Sequence, residues 1–261
     1  MILVLCGTSE GRQLLKELEA IGQKIVATVT TTHGMECLKD SNNEVLTGKL
    51  TEEGLSKLVG DRGIKYIIDI THPYAENISL MAIRVSKEKK LHYLRYERQA
   101  TEIPADETVI RAEGYKEAAE IAAKHEGRVF LTVGSNQLPI FSQVIKPQRL
   151  IARVLPASEV IKKCEDLGLT ADSIIAMKGP FSTELNKEMF SMYKAALVLS
   201  KDSGAAGGTI EKVEACRQLG IPIIIVNRPH IEYPNQYDSI GELLIKLKEM
   251  IKHEIKTASK A

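Results

Sequence analysis

Several short polar stretches each follow an apolar run, and they hold most of the residues able to do chemistry. Residues 7–11 (GTSEG) follow ILVLC and precede RQLLKELEAIG. Gly7 permits a tight turn, and Thr8 or Ser9 can cap the helix that follows. The free N–H groups of a helix start, with its positive dipole end, favour an anion. The spacing departs from G-x-G-x-x-G, so the motif alone leaves two readings open, a capped helix and a phosphate site. Residues 30–34 (TTTHG) stand where an NAD site often carries an acid for the ribose hydroxyls. Thr32 and its neighbouring threonines weaken a simple NAD fingerprint and leave room for NADPH, or for a carboxylate-bearing ligand held by hydroxyls. In DITHPYA (69–75), His72 precedes Pro73 and is biased towards an extended backbone. Pro73 is placed to open the next helix. Thr71, His72 and Tyr74 then read as a ligand-facing corner, or as a helix-start turn with a surface histidine.

The same logic recurs further on. In LRYERQ, Arg95 and Arg98 can face an anion with Glu97 pairing either, or all three can form a solvated face. Gly134, Ser135 and Asn136 follow RVFLTV, and Lys178 and Gly179 follow SIIAM. Ser182 is placed to cap a helix with Leu185 as its first core-facing residue. Lys201, Asp202 and Ser203 follow AALVLS and lead through a glycine-rich turn into a helix from about Thr209. Small residues there let a ligand approach the backbone closely. No Ser-His-Asp order, HExxH or phosphate-loop GxxxxGK[ST] is present, so hydrolase and kinase chemistry have no obvious carrier.

The elements that must position these residues alternate. Strands are expected at 2–6, 24–31, 65–70, 92–96, 108–112, 128–133, 149–154, 173–178, 195–201 and 222–228. Helices are expected at 11–21, 51–60 (capped by Thr51), 75–90, 115–127 and 239–254, with the last six residues fraying. Strands apolar throughout and separated by helices indicate parallel sheets covered on both faces. Residues 99–107, which lack periodicity and contain Pro104, divide two series. We therefore expect α/β architecture with an N-terminal domain over 1–98, a linker over 99–107 and a C-terminal domain over 108–261. In such sheets ligands bind beyond the carboxyl ends of the strands, where the polar stretches fall.

Bulk properties narrow the function. The 261 residues carry a formal charge of +1, which argues against a nucleic-acid partner, and lack Trp. No apolar run approaches the ~20 residues of a membrane span. No signal pattern opens the chain, so a cytoplasmic location is expected. The four cysteines show no metal-ligand spacing, and no metal site is expected. Cys6 and Cys216 read as buried small hydrophobes.

Taken in order, LCGTSEGRQLL, DITHPYA, LRYER, LTVGSNQL, ARVLP, MKGPFSTELN and SKDSGAAGGTIEKVEACRQLGIPIIIVNRP resemble the precorrin-6A and cobalt-precorrin-6A reductases of cobalamin synthesis. The resemblance runs from residue 2 to about 230. It implies two Rossmann-like domains flanking a cleft, with a strand exchanged between them. It also implies NADPH-dependent (alternatively NADH-dependent) reduction of one corrinoid double bond, between C18 and C19. On that basis Gly7, Thr8, Ser9, Glu10, Arg12, Thr32, Thr71 and Ser203 are expected near the cofactor. Lys201, Asp202, His72 and Tyr74 are the candidate catalytic groups, Lys201 first for protonation. Any cobalt belongs to the corrinoid substrate. Alternation of strands and helices alone also suits a two-domain nucleotide-sugar glycosyltransferase, or a non-catalytic binder of nucleotides or tetrapyrroles.

Overall fold

A computed structural model describes the chain except residues 40, 104–105, 205–206 and 259–261, and except the side chains of residues 32, 33, 37 and 258. It contains two compact units. One comprises Met1–Gln99 with His230–Ala261, and the other Ala100–Pro229. The last 32 residues, expected in the second domain, belong to the first unit.

In the first unit the chain runs β1 (Ile2–Cys6), α1 (Gly11–Ala20), β2 (Ile25–Val29), α2 (Thr32–Cys37), β3 (Glu44–Thr47), α3 (Glu52–Asp61), β4 (Tyr66–Ile70), α4 (Glu76–Lys89) and β5 (His92–Tyr96). The second unit runs β6 (Val109–Ala112), α5 (Tyr115–Lys124), β7 (Arg128–Leu131), α6 (Leu138–Ser142), β8 (Leu150–Val154), α7 (Ser158–Asp166), β9 (Ile174–Ala176), α8 (Thr183–Met192), β10 (Ala195–Lys201), α9 (Thr209–Leu219) and β11 (Ile223–Val226). The chain then returns to the first unit with β12 (Gln236–Tyr237) and α10 (Ile240–Ala258).

Each unit holds a six-stranded parallel sheet, ordered β3-β2-β1-β4-β5-β12 and β9-β8-β7-β10-β11-β6. Both follow the doubly wound 3-2-1-4-5-6 order. The sixth places are exchanged. β6, next in chain after β5, lies beside β11, whereas β12, next after β11, lies beside β5. This is the strand exchange that the resemblance implies.

The strands form because their apolar side chains bury on both faces. On β1, Ile2, Val4 and Cys6 pack in one cluster with Leu14, Leu15 and Leu18 of α1 and with Ile240, Leu243, Leu244 and Leu247 of α10. Leu3 and Leu5 face the opposite way, towards Leu55 and Val59 of α3 and Ala82 and Val85 of α4. The second unit has its own cluster around Phe130, Ile151, Phe190, Val198 and Ile225. Cys6 and Cys216 are buried, as expected.

Several local expectations are corrected. Neither Thr8 nor Ser9 caps α1, whose N-cap is Glu10 and which has no side-chain cap. Pro73 does not open α4, which begins at Glu76. The short helix α2 after β2 was not anticipated; Thr31 caps it by accepting from the Gly34 N–H at 3.0 Å. Ser182 caps α8 as expected, but Leu185 is exposed and Asn186 is the buried residue. α10 continues through Lys256–Ala258 instead of fraying there.

Candidate functional site

At the carboxyl edge of the first sheet, the turns after β1 and β4 lie against each other. A Cβ placed on Gly7 would stand 3.1 Å from the Thr71 Cα and 3.1 Å from the His72 backbone nitrogen. A methyl would crowd backbone atoms there, which explains the glycine more directly than turn conformation does. Thr8 locks the junction by donating to the Ile70 carbonyl at 3.2 Å. His72 and Tyr74 are half-buried beside this junction, their rings 5.5 Å apart. The Tyr74 N–H donates to His72 Nδ1 at 3.4 Å. Thr71, His72 and Tyr74 were expected on one corner, and the structure also brings Gly7 and Thr8 against it.

Glu10 is committed locally. It accepts from the Ser9 hydroxyl at 2.9 Å and pairs with Arg98 at 3.1 Å. Burial opposes its ionisation, but its own backbone N–H, Arg98 and the hydroxyls of Ser9 and Thr8 hold the carboxyl below its usual range. Ser9, in the turn before α1, and Arg12, in its first turn, are exposed and line a surface hollow of about 440 Å³ with Gln13, Lys16 and Glu17. The side chain of Thr32 lies outside the described residues.

Thr71 faces inward. Its hydroxyl donates to Asp69 Oδ1 at 2.7 Å and accepts from Arg95 Nη1 at 3.0 Å. Asp69 and Arg95 are in register on neighbouring parallel strands, so their side chains meet inside the layer beneath α4. Both are fully buried, 2.7 Å apart. Asp69 also accepts from the Thr71 N–H (2.9 Å), Ser79 (2.6 Å) and Tyr93 (2.7 Å). Arg95 forks onto Glu97 at 3.1 and 2.9 Å and lies 5.0 Å from the Tyr233 ring centroid. Burial and the Asp69 charge push the Tyr93 phenol far up, so it stays a donor. Of the readings left open for LRYERQ, the pairing of Glu97 with Arg95 is present, Arg98 meets Glu10, and Arg95 is buried and so is not part of a solvated face. Asp69, the core of this network, went unnoticed in the sequence. The signal was there: one acid inside YIIDI, a run otherwise apolar.

At the carboxyl edge of the second sheet, Lys201 ends β10 half-buried. Asp202 turns back to hold the loop. Its Oδ1 accepts from the Gly204 N–H at 3.1 Å and the Thr101 N–H at 3.4 Å, with Arg228 at 3.9 Å. Ser203 is buried, and its N–H donates to the Thr209 hydroxyl at 3.2 Å. Both residues shape the turn that presents Lys201. Among the described residues, no group of three or more His, Cys, Asp or Glu could hold a metal ion. No helix among them is long and apolar enough to cross a membrane.

The model of the family described as precorrin-6x reductase CbiJ/CobK matches residues 1–248. The chain belongs to this family. It is a reductase of cobalamin biosynthesis, an oxidoreductase acting on a CH–CH group. It is 37% identical to a protein of Priestia megaterium called cobalt-precorrin-6A reductase, over 94% of this chain and 96% of that one. It is 26% identical to the precorrin-6A reductase of Rhodobacter capsulatus, over 88% of each chain. The solved structure called CobK precorrin-6A reductase superposes with a TM-score of 0.75 at 24% identity, covering 95% of this chain and 96% of that one, and so shares the fold.

Proposed function

We propose that this reductase acts on cobalt-precorrin-6A and takes its hydride from NADPH, saturating the bond between C18 and C19. The observation that carries the choice of substrate is the contrast in similarity. The relative at 37% identity bears the cobalt name, and the one at 26% bears the metal-free name.

The residues present fit a dinucleotide. α1 starts close to the sheet edge without a side-chain cap, and the positive end of a helix favours a phosphate. Arg12 and Lys16 add positive charge beside that start, and β2 is followed by threonines in place of an acid. These features favour the additional phosphate of NADPH over NADH. When bound, NADPH supplies the hydride. The chain's part is to bind and orient both partners and to deliver one proton to the neighbouring carbon. Gly7, Thr8, Ser9 and Arg12 hold the cofactor, with Glu10 fixing their turn through Arg98. His72 and Tyr74 border the reacting region. Thr71 and Ser203, whose polar atoms are engaged inside the protein, act as positioning residues, as does Asp202. Lys201 is the proton donor, directly or through water. The substrate's several carboxylates meet charged donors worth about 1.5–3 kcal/mol each. A cytoplasmic location and a partner set without nucleic acid complete the reading.

The test is anaerobic incubation with each form of the substrate and each nicotinamide, following cofactor oxidation and product mass. A gain of two hydrogens, faster with the cobalt form and NADPH, is expected. No gain with either form rejects the reaction. Replacing Lys201 with Ala should lower turnover about 10²–10⁴-fold with NADPH affinity kept, and unchanged turnover would remove it from its role.

A further inference from the structure

The second unit contains two buried cations that the proposed reaction leaves unused. Arg153, next to last on β8, and Lys212, in the first turn of α9, are each only 6% exposed. The Arg153 guanidinium lies 4.2 Å from the Phe181 ring centroid and 5.8 Å from that of Phe130. Its Nη1 donates to Asn186 Oδ1 at 2.8 Å and lies 3.8 Å from the Met189 sulfur. Among the described residues, its Nε and Nη2 have no acceptor, and no carboxylate stands within ion-pair distance. Lys212 donates from Nζ to the Gly207 carbonyl at 2.6 Å and likewise has no carboxylate partner.

The contrast within one molecule is sharp. Buried Arg95 is met by Asp69 and Glu97, whereas Arg153 is met by a neutral amide and two rings. A buried ion without a counter-charge is costly, and a protein that keeps two side by side is built around something that compensates them. Phe181 joins them: its ring lies 4.2 Å from the Arg153 guanidinium, and its carbonyl stands 3.8 Å from a Cβ placed on Gly208, next to the Gly207 carbonyl that Lys212 holds. Burial first, then Arg153 and Lys201, pull the Lys212 ammonium down to about 7, with only Glu211 acting the other way. Glu211 makes no ion pair with Lys212, and its Oε2 is itself buried without a hydrogen-bond partner. Asp202, the other nearby acid, is turned to Gly204, Thr101 and Arg228.

We infer that Arg153 and Lys212, with Lys201 at the rim, form an oxyanion pocket at the carboxyl edge of the second sheet. The ligand is a carboxylate or a phosphate oxygen pair. Arg153 offers it the Nε–Nη2 edge, which suits two oxygens at once, and Lys212 a point charge. The pocket stands on the geometry alone. Its two available sources, a macrocycle carboxylate and a dinucleotide phosphate, rest on the proposed reaction.

The first test uses the full chain and inorganic phosphate at constant ionic strength. Phosphate should raise the unfolding midpoint of the wild type, and Arg153→Met and Lys212→Met should each lose that increment. Equal increments in all three overturn the pocket. If a variant does not fold, selective lysine labelling and NMR titration of the wild type decide. Phosphate should move the Lys212 titration well above 7, and a titration that does not respond overturns the proposal. The second test separates the sources by steady-state kinetics of Lys212→Met. A KM raised about tenfold or more for the macrocycle alone assigns a carboxylate, and the same rise for NADPH alone assigns a phosphate. Lack of any turnover in the wild type would count against the reaction, and the phosphate experiment would still decide the pocket.

Discussion

Asp69 receives five donors from four residues, and every one is a side chain or N–H that the first sheet needs in place. Replacing it with Asn keeps the shape and removes the charge opposite Arg95. We expect Asp69→Asn to lower stability by about 3–5 kcal/mol in urea unfolding. A loss under about 1 kcal/mol would mean that Glu97 alone compensates Arg95. The second unit gives a pH dependence of opposite origin. Lys212 sits near 7 when folded against an ordinary 10.5, so between those values the unfolded chain holds one proton more. The whole cost of the buried charge is present below about 7. Stability should therefore rise as pH climbs from about 7 towards 10.5, by on the order of a few kcal/mol, and level off above. Lys212→Met should flatten that rise in urea midpoints taken across the range; an unchanged slope would assign it to another group.

At the scale of the element, the turn after β1 depends on what is missing from Gly7. Gly7→Ala would press a methyl on the backbone of Thr71 and His72, atoms that cannot swing away. We expect a loss of about 1–3 kcal/mol and weaker nucleotide binding, read by thermal unfolding and cofactor titration. Removal of the Thr51 hydroxyl, which accepts from the Gly54 N–H at 3.1 Å, should cost about 1 kcal/mol without touching either ligand. The main strands were readable because ILVLC, AALVL and IIIV are apolar in a row, as strands buried on two faces must be. β3 (EVLT) and β12 (QY) escaped because an edge strand is short and half exposed and carries no such run. The polar corners were readable from their place after strands. Which way each hydroxyl points was not. Thr8, Thr71 and Ser203 look alike as sequence, and only the neighbours across the sheet decide that Thr71 serves Asp69. Arg153, inside RLIARV, is equally silent, because its lack of a partner is a property of three elements at once.

At the scale of the whole molecule, the second unit is continuous in sequence and the first is not. α10 brings Ile240, Leu243, Leu244 and Leu247 to the first core, each worth about 1.5–3 kcal/mol when buried. Their joint loss, roughly 6–12 kcal/mol, is comparable to the entire stability of a domain. A fragment of residues 1–99 should therefore fail to unfold cooperatively, while residues 100–229 should do so alone. Calorimetry of the two fragments checks this, and a cooperative transition in 1–99 would show that β12 and α10 are dispensable.

The exchange of sixth strands also sets a timetable. When the ribosome has finished β5, the strand that will cover its outer edge lies some 140 residues ahead, on the order of ten seconds of synthesis. Through that interval the β5 edge is an open template for any stray strand. The next strand to emerge, β6, is one that must be refused. Arg95 on that strand and Glu97 just beyond it meanwhile put charge there and discourage premature pairing, and Arg95 later lies 5.0 Å from the Tyr233 ring centroid, in the segment that leads into the strand it was waiting for.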